Sequence, residues 1–128
     1  MEFLLLAVII FIALLFVFIN GFHDTANVVA TTIATRSLSP YQAITLAAVF
    51  NFIGAFFGTG VAATISQGLL DASMVTHLVL ISALLAAIIW NLITWMFGIP
   101  SSSSHALIGA LAGAGIATGG VHAVNYTT

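Results

Sequence analysis

Four charged side chains in 128 residues, Glu2, Asp24, Arg36 and Asp71, limit this chain more than any other feature. A soluble domain carries about 25% charged residues and covers itself with them. Here charged residues make up 3% of the chain and hydrophobic residues 62%. Such a chain cannot present a solvated surface all round, so its natural solvent is lipid. The net charge of −2 offers no basic footprint for nucleic acid or for an anionic membrane surface. The absence of cysteine excludes a disulfide framework, a Cys-ligated metal and thiol chemistry.

The apolar residues fall into four stretches, 3–19, 41–65, 76–98 and 105–118. The first is not read as a secretory signal, because Glu2 stands where a basic residue belongs and no small-x-small cleavage site follows. The second begins just after Pro40, a residue suited to a first helical turn. The third ends at the breaker Gly98-Ile99-Pro100. Both are long enough to cross about 30 Å of hydrocarbon. The fourth would rise only about 21 Å as a helix. It follows Pro100 and the serines Ser101, Ser102, Ser103 and Ser104, and it reads as a hairpin or half-helix that starts inside the protein. Irregular backbone at that depth is tolerated only where protein or a water-filled cavity surrounds it.

The opening region has the opposite problem. Residues 3–35 as one helix would measure about 50 Å. A break at Asn20-Gly21 removes the excess, since Gly21 accepts any backbone conformation and Asn20 can cap a following helix. The expectation is an all-α integral membrane protein forming a single transmembrane domain over 1–128. It is a polytopic helical bundle with a broken first helix and a Pro/Ser-interrupted hairpin or half-helix. Its segments lie near 3–19, 21–36, 41–65, 75–98 and 103–118. The loops 36–39 and 66–73 are short and polar. Arg36, the one basic residue, favours the cytoplasm and places the N-terminus outside. His77 and His122 fall near loop ends and read as interfacial residues.

Small and polar residues recur at helical spacing on three stretches: Asn51, Gly54 and Gly58; Ala83, Ala87, Asn91 and Thr94; Gly109 and Gly113. Close helix packing with polar groups bonded across the interface accounts for them. The polar residues Asn20, Asp24, Asn27, Thr31 and Thr35 share one stripe of a helix. An aspartate inside a membrane segment costs about 2.5–3.5 kcal/mol on insertion scales and marks an ion path by default. Carboxylate, amide and hydroxyl oxygens suit a hard cation, so Asn20, Asp24, Asn27 and Thr31 are the candidate cation-coupling residues. His23, which can change charge near neutral pH, is a candidate proton site. The second constellation is Pro100 with Ser101, Ser102, Ser103, Ser104 and His105. A helix N-terminus with free N–H groups, hydroxyl donors and an imidazole is a ready anion site. Together they imply cation-coupled transport of an anion through broken helices. Two other classes compete with transport. A membrane hydrolase using a serine of that run with His105 or His23 lacks both a Gly-x-Ser-x-Gly elbow and a His-Glu-x-x-His pair, so no enzyme is expected. A structural subunit would use the polar stripe for helix association alone. Adjacency of His23, Asp24 and His105 is too weak a pattern to imply a metal site.

The stretch Asn20-Gly21-Phe22-His23-Asp24-Thr25-Ala26-Asn27 resembles the G-A-N-D-x-A-N signature of the inorganic phosphate transporter (PiT) family, in the form of its bacterial low-affinity branch. Ala47-Ala48-Val49-Phe50-Asn51-Phe52, Ala86-Ala87-Ile88-Ile89-Trp90-Asn91 and Gly98-Ile99-Pro100-Ser101-Ser102-Ser103-Ser104-His105 are similar to the same family. The resemblance implies phosphate uptake coupled to Na⁺ or H⁺, in some members as a neutral metal–phosphate complex, across the bacterial inner membrane. It implies that Asp24 and Asn27 serve cation and phosphate, and that Ser101, Ser102, Ser103, Ser104 and His105 serve phosphate. Phe22-His23 stands where many members have Ala-Asn, which favours H⁺. The family is built of two inverted repeats, and this chain resembles the first. A second repeat half or a homo-oligomer is therefore the expected protein partner, with no cofactor beyond the coupling ion. Sulfate or another oxyanion is the alternative cargo.

Overall fold

The computed structural model describes residues 1–58 and 75–120, with 122 and 124. The expected helical run over 59–65 and the loop 66–73 with Asp71 lie outside the described residues. Every regular element among the described residues is a helix: α1 (Glu2–Ala34), α2 (Pro40–Ala55), α3 (His77–Met96) and α4 (Ser103–Gly119).

The break expected at Asn20-Gly21 does not occur. Helix α1 runs through Gly21 as one element of 33 residues. A single glycine costs a helix only about 1 kcal/mol relative to alanine. On α1, Phe16 and Ile19, just before it, are buried with Ala87 and Ile88 of α3. The Thr25 hydroxyl also donates back to the Gly21 carbonyl, a bond that satisfies the hydroxyl inside a continuous helix. Asn20 is half-buried within the helix rather than capping one. At about 1.5 Å per residue α1 is about 50 Å long, and even a tilt of about 40° leaves about 38 Å along the membrane normal. The helix is therefore longer than the hydrocarbon core requires, and its C-terminal end carries the exposed polar residues Thr35 and Ser37.

The end of α1 is closed by a Schellman arrangement. Arg36 takes φ 58°. Its N–H reaches the Ile33 carbonyl at 3.0 Å, and the Ser37 N–H reaches the Thr32 carbonyl at 3.1 Å. This short turn folds α2 back on α1. Helix α2 starts with Pro40 in its first turn behind a capping box: Ser39 Oγ accepts the Gln42 N–H at 3.3 Å, and Gln42 Oε1 accepts the Ser39 N–H at 3.2 Å. It ends at Ala55, short of the expected 65. The chain there tightens: the N–H groups of Phe57 and Gly58 both bond the Gly54 carbonyl.

Helix α3, 20 residues long, is about 30 Å and matches the hydrocarbon core. Thr76 caps it by accepting the Val79 N–H. Its C-terminus is a second Schellman motif. Gly98 sits at φ 66°. The Gly98 N–H bonds the Trp95 carbonyl at 3.2 Å, and the Ile99 N–H bonds the Thr94 carbonyl at 2.8 Å. Pro100 then prevents continuation. Helix α4 turns back along α3, with Leu111 against Val79 and Ala83. Helices α1 and α3 run parallel, since Phe16 and Ile19 meet Ala87 and Ile88 while Phe22 meets Trp95 edge-on at 5.2 Å.

Helix α3 is thus the centre of the bundle. Its small and polar stripe, Ala83, Ala87, Asn91 and Thr94, is buried. The other two small-residue faces are not. A Cβ added at Gly54, Gly109 or Gly113 would meet nothing within 4 Å, and Asn51 is exposed. Around the bundle, Phe50, Phe52, Phe56 and Phe57 are all at least 63% exposed, a surface that fits lipid or further protein.

Candidate functional site

The polar motif of α1 keeps its stripe because the helix is unbroken. Asn20 and Asp24 are half-buried, while Asn27, Thr31 and Thr35 are exposed. The Asp24 side chain is 44% exposed, and its Oδ1 lies 3.2 Å from Nδ1 of His23. His23 faces the other way, into the bundle, and is buried. Its Nε2 lies 3.0 Å from the Thr94 hydroxyl on α3. His23, Ala26 and Asn27 line a cavity of about 220 Å³ with Thr94, Trp95, Gly98 and Ile99. Asn27 is therefore placed beside the turn between α3 and α4.

The serine run is divided by helical phase. Ser102 caps α4, its Oγ accepting the His105 N–H at 3.3 Å. Ser101 Oγ accepts the Trp90 indole N–H at 3.3 Å. Each of these hydroxyls has spent acceptor capacity on a protein donor and keeps its own hydrogen to donate. Ser101 and Ser102 share a groove of about 440 Å³ with Trp90 and His105, floored by Ala86, Ala106, Gly109 and Ala110. Ser104 is exposed. Ser103 points inward. It is buried, and its Oγ accepts a bond from Asn91 Nδ2 at 3.2 Å. In this arrangement Ser103 is held by α3, so its expected place among the anion donors is not seen here.

The cavity beside Asn27 and the groove beside Ser101 share no lining residue. Asn27 is therefore not brought together with the serines of the groove. Helix α3 holds both regions instead. The His23 that pairs with Asp24 meets the Thr94 hydroxyl, and that hydroxyl also donates to the backbone carbonyl of Asn91 within α3 at 3.0 Å. The Asn91 amide then reaches Ser103. Sequence spacing marks Thr94 and Asn91 only as a buried stripe. Their contacts span 71 and 12 residues, which no local pattern reveals. Trp90 is missed in the same way. Among the described residues no serine hydroxyl is bonded to an imidazole nitrogen, and no three His, Cys, Asp or Glu side chains converge.

Comparison with known proteins bears on the same residues. A family model for the phosphate transporter family matches residues 20–128. A probable low-affinity inorganic phosphate transporter of Bacillus subtilis (strain 168) is 56% identical over 130 residues, which cover 98% of this chain and 39% of the relative. A probable low-affinity inorganic phosphate transporter of Mycobacterium tuberculosis (strain ATCC 25618 / H37Rv) is 52% identical over 127 residues, 99% of this chain and 30% of the relative. The low-affinity inorganic phosphate transporter of Buchnera aphidicola (subsp. Acyrthosiphon pisum, strain APS) is 48% identical over 121 residues, 86% of this chain and 25% of the relative. The chain therefore spans well under half the length of these relatives. No solved structure matches it. With the family model covering both polar motifs and all four helices except the first part of α1, the chain belongs to the phosphate transporter family.

Proposed function

We propose that this chain is the part of an inorganic phosphate symporter that carries one cation-coupling motif and one anion-binding turn. The observation that carries this reading is the state of the groove hydroxyls. Ser101 and Ser102 accept from the Trp90 indole and the His105 backbone N–H, line the groove, and are left with a hydrogen free to donate. Free hydroxyl donors at the positive end of a helix suit an oxyanion. His105 lines the same groove, while Ser104 and Asn27 lie outside it and join the site in this reading from its remaining side.

Asp24 and His23 are the coupling pair in this reading, with Asn20, Asn27 and Thr31 as flanking oxygens. H⁺ is the driving ion in this reading, with the imidazole held between Asp24 and Thr94 as its carrier. Phosphate is distinguished from sulfate by its protonation, because protonated phosphate donates a hydrogen bond that Asp24 accepts and sulfate cannot supply. A neutral metal–phosphate complex fits the same donors with less charge to desolvate. The protein works as a multi-pass protein of the bacterial inner membrane. The rest of a longer protein, or a second copy, supplies the remaining side of the site.

The test is radiolabelled phosphate uptake into proteoliposomes containing the full-length protein, driven by a pH gradient without Na⁺. Uptake that falls as external pH rises and that is lost in Asp24→Asn supports the reading. Strict Na⁺ dependence removes the proton assignment, and sulfate competing as well as phosphate removes the cargo assignment.

A further inference from the structure

The described residues contain four buried polar side chains, His23, Asn91, Thr94 and Ser103. They form two side-chain ties anchored on α3, Thr94 to His23 of α1 and Asn91 to Ser103 at the start of α4, and the Thr94 hydroxyl also bonds the Asn91 backbone carbonyl within α3. None of the other polar residues of the two motifs is buried to this degree. Three of the four lie outside the α1 motif, and none of the three faces the serine groove.

Asn91 is the informative member. It is fully buried, and its Oδ1 has no hydrogen-bond partner while its Nδ2 holds Ser103. A buried acceptor left without a partner is costly, and an apolar side chain of similar size satisfies packing without that cost. A role in packing alone does not explain an asparagine here. A role in fixing Ser103 does, because the amide bonds the first residue of α4. Thr94 sits at the other joint. Its hydroxyl meets His23 Nε2 and donates to the carbonyls of Trp90 and Asn91, and its own carbonyl closes the Schellman turn through the Ile99 N–H. It therefore contacts the α1 motif, the residue that holds Ser103, and the turn that carries Ser101 and Ser102.

We propose that Thr94, Asn91 and Ser103 are positioning residues that set the serine turn relative to the Asp24–His23 pair. Ser103 serves this tie and not the anion. The inference rests on the reading of the groove as a phosphate site. It adds that affinity in the groove depends on residues that never touch the ligand.

The experiment is equilibrium binding of radiolabelled inorganic phosphate to the full-length protein in lipid nanodiscs, with thermal stability measured alongside. Thr94→Val keeps the shape and removes the hydroxyl. Asn91→Leu keeps the volume and removes the amide. Both weaken phosphate binding about tenfold, within the range of coupling carried by residues remote from a ligand. Thr94→Ser restores the affinity. The thermal midpoint of Asn91→Leu stays level or rises. Unaltered affinity in Thr94→Val and Asn91→Leu overturns the proposal. If either variant does not fold, Ser103→Ala, Asn91→Ala and the double variant carry the test. A shared tie makes the double variant no weaker than either single one, whereas losses that add assign Ser103 to direct contact with the ligand and refute the tie. Absence of phosphate binding by the unmodified protein removes the phosphate reading itself, whereas normal binding that ignores these residues removes only this inference.

Discussion

Replacing Gly98 by alanine tests whether the α3–α4 turn is held by backbone conformation. Gly98 takes φ 66°, and a Cβ built there meets nothing within 4 Å. The substitution therefore adds no clash, and its cost is the left-handed conformation alone. That cost is about 1–2 kcal/mol for an L-residue. Alanine also removes freedom from the unfolded chain, which offsets about 0.4–1 kcal/mol. At the middle of both ranges the net loss is about 0.8 kcal/mol, roughly fourfold in the folding equilibrium. Gly98→Asn should lose less, since asparagine tolerates the left-handed region. Reversible unfolding in mixed micelles, followed by Trp90 and Trp95 fluorescence, measures both variants. The ordering Gly98, Asn, Ala is the expected result. An alanine variant as stable as the unmodified protein, or an asparagine variant worse than alanine, refutes the Schellman assignment. Because the turn carries Ser101 and Ser102, phosphate affinity should fall in the same order.

Arg36 presents the converse case, a non-glycine residue at φ 58°. Arg36→Gly should stabilise the end of α1 by about 0.5–1 kcal/mol, the relief of strain less the added chain entropy, and the same unfolding assay reads it. Trp90→Phe removes the indole N–H from Ser101. It should weaken phosphate binding about threefold while stability changes by less than about 1 kcal/mol, and equilibrium phosphate binding checks it. Ser39→Ala removes the capping box of α2 and should cost about 1 kcal/mol, seen as faster amide exchange over 40–45.

How far the structure was legible depends on the range of the forces involved. The α3–α4 turn could be read from Gly98 and Pro100 because the constraints on those residues are local. The α3 stripe could be read because burial follows the helical period. The continuity of α1 could not. Gly21 is a weak local signal, and Phe16 and Ile19 packing on a helix about 70 residues away decides the matter. The four serines look alike in sequence. Which one caps, which faces the groove and which turns inward depends on the phase of α4 against Trp90 and Asn91. His23 was read as a neighbour of Asp24, and the structure adds Thr94 as its second contact. Its titratable ring thus joins two helices, which makes it a structural member of the site as well as a candidate proton carrier.

The exposed polar stripe on α1 carries a further consequence. Asn27 and Thr31 are exposed, and Asp24 is 44% exposed, on a helix whose solvent elsewhere is lipid. A carboxylate and an amide facing hydrocarbon are costly, so such residues face a bundle interior or a water-filled cavity. The described residues cover this stripe only in part: Asn27 lines the cavity beside Thr94 and Gly98, α3 takes the face with Phe16, Ile19 and His23, and α2 takes the face with Val29. The same holds for Asn51 beside Gly54 on α2 and for the open faces of Gly109 and Gly113 on α4. More than half the length of the relatives lies outside the matched region, enough to supply cover for all three. On this argument the polar stripe is an inner wall of a larger bundle, closed by protein beyond the described helices.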